Sequence, residues 1–161
     1  MRKLILFVST ISLFACSKTD DNMYQYYWGG LFEFSVYNSQ NEDLLDPATL
    51  DHYDTSGIKL YYEVDGMKEE IYDPNLDYPR HFSIYHHEDE YRLQVSLNAS
   101  DTSEKPITYI QWNNVDTDTI EVLFKRTVRS TLKRSVWLNG QLIWEWTLNE
   151  EGYHKIIKNI P

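Results

Sequence analysis

Two dipeptides, Asp65-Gly66 and Asn139-Gly140, each sit at the centre of a run in which apolar and polar residues alternate. Alternation at period two is the side-chain spacing of a β-strand, and Asp-Gly or Asn-Gly supplies the two positive-φ positions of a type I′ turn. The turn then fixes the register. Over Gly57 to Asp73 it predicts Val64 opposite Met67, Tyr62 opposite Glu69 and Leu60 opposite Ile71, with Glu63 opposite Lys68 and Tyr61 opposite Glu70 on the wet face. Around Asn139-Gly140 it predicts Trp137 with Leu142, Ser135 with Trp144 and Lys133 with Trp146, and on the opposite face Val136 with Ile143 and Arg134 with Glu145.

Further strands are predicted at Leu31 to Tyr37, His81 to His86, Tyr91 to Ala99, Ile107 to Trp112, Thr119 to Val128 and Tyr153 to Lys158. Glu88-Asp89-Glu90 and Asn113 to Asp116 read as turns, and Asn38 to Ser56 and Asp73 to Pro79 as loops. No segment holds a capped 3.6-residue period; Pro47 to His52 allows one short helical turn. Eight or nine short strands with hairpin connections predict an all-β fold, an antiparallel β-sandwich with a β-barrel as the alternative.

Charge narrows the function. Twenty-five acidic against 15 basic residues give a formal charge of −10. A general nucleic-acid binder needs a basic surface to displace counterions from phosphates, so no nucleic-acid partner is expected. No phosphate-binding loop, nucleophile elbow, His-Glu-x-x-His or paired Cys-x-x-Cys sequence occurs, so neither catalytic residues nor a cofactor or metal is assigned. His86 and His87 are neighbours on a strand and point to opposite faces, which suits a solvated turn better than one metal ion. Glu42, Asp43, Asp46, Asp51 and Asp54 could offer oxygens to calcium, but they lack the EF-hand spacing and its glycine; Asp46-Pro47 equally starts a turn in a solvated loop. Two carboxylates for glycoside hydrolysis are available in so acidic a chain, and nothing in the sequence selects a pair.

The aromatic residues offer a better lead. Five tryptophans and 13 tyrosines suit sugar rings or protein partners as well as a core. Trp137, Leu142, Trp144 and Trp146 share one face of their hairpin, which reads as the inner face of the sandwich. Lys125, Arg126, Arg129, Lys133 and Arg134 form a basic strip suited to an anionic glycan, lipid headgroup or acidic partner, or to cross-strand pairing with residues such as Glu145. The candidate ligand-binding residues are therefore Trp28, Trp112, Lys125, Arg126 and Arg129. Tyr26, Tyr27 and Trp28 stand at the entrance to the fold, where they either seat the first strand or lie near a membrane.

The first residues give an address. Arg2 and Lys3 precede an apolar run from Leu4 to Phe14, about half the roughly 20 residues that a membrane-spanning helix needs, so residues 1–15 are expected to be a removed signal peptide. Leu13-Phe14-Ala15-Cys16 resembles the lipobox of bacterial lipoproteins. The resemblance implies cleavage between Ala15 and Cys16 and acylation of Cys16, with palmitate and diacylglycerol chains holding the protein to the membrane. Ser17 to Asn22 resembles the acidic export tether of surface lipoproteins of Bacteroidota-type envelopes, which implies an outer-membrane anchor and surface exposure. Asp118-Thr119-Ile120 resembles their O-glycosylation motif, which implies modification at Thr119. Asp43 to Pro47, Gly57 to Tyr62, Trp112 to Ile120 and Val136 to Gly140 resemble small all-β lipoproteins of the same envelopes; this likeness implies a fold and a location and transfers no activity. The expected organisation is a signal peptide at 1–15, a lipidated tether at 16–27 and one sandwich domain at 28–161. The expected role is a non-catalytic accessory or protein-interaction module, with a glycan-binding lipoprotein as the alternative.

Overall fold

The computed structural model describes residues 26–147 and 152–159. The signal peptide, Ala15, Cys16 and most of the tether lie outside them. Eleven strands follow in order: β1 (Tyr27–Gly29), β2 (Leu31–Tyr37), β3 (Lys59–Val64), β4 (Met67–Glu70), β5 (Phe82–His87), β6 (Glu90–Ser96), β7 (Ile107–Gln111), β8 (Thr117–Thr127), β9 (Ser130–Leu138), β10 (Gln141–Glu145) and β11 (Tyr153–Ile157). They form two sheets, one of seven strands in the order β1-β9-β8-β7-β3-β4 with β10 also on β9, and one of four in the order β11-β2-β6-β5. The fold is a β-sandwich. Because the two sheets stay separate, the barrel alternative falls.

Alternation dictates which side chains meet between the sheets. Phe32, Phe34 and Val36 of β2 and Leu93 and Val95 of β6 face Leu60, Ile110, Ile120, Val122, Phe124 and Val136 of the larger sheet, all within one core. Leu44, Leu45, Tyr53 and Ile58 of the long loop join that core. The loop itself forms turns but no helix at Pro47 to His52.

Both dipeptide turns adopt the conformation their chemistry demands: φ is +51° and +77° at Asp65-Gly66 and +51° and +80° at Asn139-Gly140. In the first hairpin Tyr61, Tyr62, Glu63 and Val64 pair with Glu70, Glu69, Lys68 and Met67, as the turn predicts. The second hairpin departs from expectation. Leu142 pairs with Trp137, but a bulge at Ile143 then sets Trp144 opposite Val136 and Glu145 opposite Ser135. A bulge places two residues against one and turns the strand over. Trp144 therefore enters the core edge-on to Phe32, with ring centroids 6.0 Å apart, while Leu142 and Trp146 are exposed. Trp137 stays on the outer side, beneath the Lys105 ammonium. The shared inner face expected for Trp137, Leu142, Trp144 and Trp146 is thus corrected to Trp144 alone.

Two pairings depart from a purely antiparallel sandwich: β1 runs parallel to β9, and β11 runs parallel to β2. In each, a short terminal strand closes an edge of a sheet.

Candidate functional site

The outer face of the four-stranded sheet is polar throughout its centre. Alternation puts Glu33, Ser35 and Tyr37 of β2 beside Glu90, Arg92 and Gln94 of β6, flanked by Tyr85 of β5 and Tyr153 of β11. Arg92 joins the two acids: Nε donates to Glu90 Oε1 at 2.7 Å and Nη1 to Glu33 Oε2 at 3.2 Å. Gln94 Nε2 donates to the other Glu33 oxygen at 3.0 Å, and the Tyr37 and Tyr153 hydroxyls donate to Glu90 Oε2 at 3.2 and 3.3 Å.

These contacts set the protonation states. Burial by itself would raise the Glu33 pKa, but hydrogen bonds from Tyr85, Gln94 and Arg92 and the Arg92 charge bring it below its ordinary 4.5. Glu90 is likewise lowered, burial being outweighed first by the Arg92 hydrogen bond and charge and then by Tyr153 and Tyr37. Burial, with the neighbouring acid, pushes Tyr37 and Tyr85 up to about 12. Neither carboxyl is arranged to hold a proton near neutral pH, as the acid of a two-carboxylate hydrolase must.

Several rings of this protein are covered by its own cations. Lys155 Nζ lies 3.5 Å from the Tyr37 ring centroid, Arg92 4.1 Å from Tyr153, Lys68 4.2 Å from Tyr61, Lys105 3.8 Å from Trp137 and Arg134 4.7 Å from Trp146. A ring face that carries an ammonium or guanidinium is not open to stack on a sugar.

The opposite situation holds at the edge of the same sheet. β5 is its terminal strand, so among the described residues one side of its backbone faces no other strand. Sheet edges are commonly guarded by charge. The edge strand of the larger sheet, β4, is guarded in this way, with Lys68, Glu69 and Glu70 all exposed. β5 instead begins Phe82-Ser83-Ile84-Tyr85, beside a cleft of about 290 Å³ lined by Leu31, Leu76, Asp77, Tyr78, His81 and Phe82, with Ser83, Gln94 and Ser96 of the sheet face as its polar part. Leu76 and Tyr78 are exposed. The loop carrying them is built rather than loose: Asp73 N donates to Pro79 O at 2.8 Å, Asp73 Oδ1 accepts from Asn75 N, and Arg80 Nη1 donates to Ile58 O at 2.9 Å. His81 closes the loop with φ of +58°, a strained value for a non-glycine residue.

The residues singled out from sequence are scattered. Trp112 is 1% exposed, its Nε1 donating to Asp118 Oδ2 at 2.7 Å, so it is a core residue and not a ligand contact. Arg126 is turned onto the carbonyls of Ala99 and Asp101. Lys125 and Arg129 are exposed near the β8–β9 turn, Lys133 leans over the Trp144 ring, and Arg134 covers Trp146, so the five cations do not form one strip. Trp28 is half-exposed on β1. Thr119 is half-buried in β8, its N–H donating to Asn139 Oδ1. His86 and His87 take opposite faces, edge-on to Tyr91 and Tyr85. The loop acids serve the loop: Asp43 accepts from Leu45 N and Tyr91 N, Asp46 from Ala48 N, Asp54 from Ser56 N and Oγ, and Glu42 from Asn38. Neither the cleft residues nor Arg92 and its acids were marked by sequence reasoning. The visible signal was Glu-x-Arg-x-Gln alternation in β6, which says that one face is polar but not which strand lies beside it.

No family model matches the chain, and no solved structure matches it. Among curated proteins, "A disintegrin and metalloproteinase with thrombospondin motifs 2" of Mus musculus is 39% identical over 59 residues, which are 37% of this chain and 5% of that protein. The chain thus corresponds to a small fraction of that protein's length. Among the described residues, no three His, Cys, Asp or Glu side chains are grouped so as to hold a metal ion.

Proposed function

We propose that this protein is a lipid-anchored cell-envelope module, without catalysis of its own, that holds an extended segment of a partner protein along the free edge of β5. The observation that carries this reading is the unguarded edge of β5 beside the cleft of Leu31, Leu76, Tyr78 and Phe82. A strand added to an edge gains main-chain hydrogen bonds, and a pocket beside that edge selects alternate side chains. Here one side chain in two would enter the cleft. Asp77 in its wall and the formal charge of −10 favour a partner segment that mixes apolar with basic residues.

The anchor rests on Leu13-Phe14-Ala15-Cys16 and implies an outer-membrane address. The glycan-binding alternative ranks second because the cations over Tyr37, Tyr153, Trp137 and Trp146 occupy the faces that a sugar would need.

A photoreactive phenylalanine at Tyr78 in intact cells tests the partner reading. The expected result is a crosslink to one extended peptide stretch of an envelope protein, lost in Leu76→Asp and absent when the probe stands at Val115. Equal adducts at both positions, or adducts indifferent to Leu76→Asp, would overturn it.

A further inference from the structure

Tyr26, Tyr27 and Trp28 are exposed, and Val128, in the β8–β9 turn, is 97% exposed. The sheet brings these residues to one end. Tyr27 pairs with Ser130, which pairs with Thr127, and Tyr27 N donates to Arg129 O at 2.9 Å, so β1 starts beside the turn that Val128 tips. Two of the rings are held in place: Tyr26 OH lies 2.5 Å from Thr131 Oγ1, and the Trp28 ring rests on Gly30, where any Cβ would collide with it. Among the described residues no cation covers these three rings, in contrast to Tyr37, Tyr61, Tyr153, Trp137 and Trp146.

Two exposed cations stand at the same end. Between Glu121 and Glu145 the chain has no acidic residue, although it has 25 in all. Lys125 and Arg129 are exposed within that stretch. Tyrosine and tryptophan favour the headgroup level of a bilayer, and basic side chains there are drawn to anionic lipid.

We infer that this end of the sandwich rests against the surface of an anionic membrane, with Tyr26, Tyr27, Trp28 and Val128 at the headgroup boundary. The inference rests on acylation of Cys16 and adds an orientation to it. Nine residues lie between Cys16 and Tyr26 and can span at most about 35 Å even fully extended, so the end that meets the membrane first is the one where the tether enters. Only Gly29 and Gly30 separate Trp28 from Leu31 of the cleft, so a segment bound along β5 would be met close to the membrane.

The test uses the full acylated protein in phosphatidylethanolamine–phosphatidylglycerol vesicles. Cys16 is the chain's only cysteine and is consumed by acylation, so a cysteine introduced by Val128→Cys takes an environment-sensitive dye alone. Val115→Cys is the control: it is 90% exposed in the β7–β8 turn, roughly 35 Å away along the length of β8. The expected result is a blue shift at 128 and none at 115, together with quenching by brominated lipid that Trp28→Phe removes. An acylated protein with equal dye shifts at both sites, or with quenching unchanged in Trp28→Phe, overturns the orientation alone. A shift at 128 that grows with protein concentration without lipid assigns the surface to self-association and also overturns it. An unmodified Cys16 on a protein in the aqueous fraction overturns the anchor, and the orientation with it.

Discussion

Lys158, just beyond β11, places its ammonium 2.7 Å from Asp118 Oδ2 and 2.9 Å from Asp116 Oδ1. Asp118 is nearly sealed from solvent, and its remaining contacts are the Trp112 indole and the Asn139 amide. Asp116 also accepts from Tyr53 OH at 2.9 Å. The C-terminal segment of one sheet is thereby fastened to a turn of the other. Removing one partner of a buried pair leaves the other charge without compensation, which costs about 3 kcal/mol. Lys158→Met is expected to lose that much in urea unfolding. Adding Asp118→Asn to it should cost less than the two single losses combined, because the residues share one network. Strict additivity would show that the contacts are independent.

Trp144 and Trp146 are two positions apart and opposite in environment, 7% and 47% exposed. Trp144→Ala should cost about 3 to 5 kcal/mol, the range for emptying an aromatic core site, and Trp146→Ala only about 0.5 kcal/mol. Comparable losses at both positions would restore the unbulged register read from the turn alone.

That contrast marks where sequence stops being informative. The Asp65-Gly66 hairpin could be read to the residue because its register depends on two local φ angles and an alternation that nothing interrupts. The Asn139-Gly140 hairpin could be read only as far as Leu142. Beyond it the bulge is decided by whether Trp144 reaches Phe32, a residue in the other sheet. The same limit applies to the outer face of the four-stranded sheet. The alternation of Glu33-Ser35-Tyr37 and of Glu90-Arg92-Gln94 is plain in the sequence, but the Arg92–Glu33 contact joins residues 59 positions apart. The parallel edges formed by β1 and β11 carry no turn to announce them. The β5 cleft was hidden for a related reason, since Leu31 and Leu76 stand in separate segments that only the sheet brings together.

Arg92→Met exposes the electrostatics of that face through pH. In the folded protein Glu33 and Glu90 titrate below their ordinary 4.5, so they contribute stability above that value and lose it as pH falls through their lowered folded values. With Arg92 gone, two largely covered carboxylates have lost their cation. Arg92→Met should be about 3 kcal/mol less stable than the parent at pH 7, with the gap falling to less than half that by pH 3, where protonation removes the need for a cation. A gap of constant size across this range would show that Arg92 acts through packing on Tyr153 rather than through charge.

Lys133 presents the reverse case, a cation that the fold tolerates at a cost. It lies on β9 with its stem against Gly152 and its ammonium 5.5 Å from the Trp144 ring centroid. Burial lowers its pKa from the ordinary 10.5, and the Glu33 charge offsets this only in part. A lysine whose folded pKa is lowered disfavours the folded state at pH values where it is charged, and the penalty fades as pH rises toward 10.5. Methionine keeps the length and apolar character of the stem while removing the charge, and replacing a covered ion by an apolar residue is commonly neutral or stabilising. Lys133→Met is therefore expected to match the parent at pH 7 or exceed it by up to about 1 kcal/mol, with a smaller difference at pH 9. A clear loss of stability at pH 7 would show that attraction to Glu33 and to the Trp144 ring outweighs desolvation.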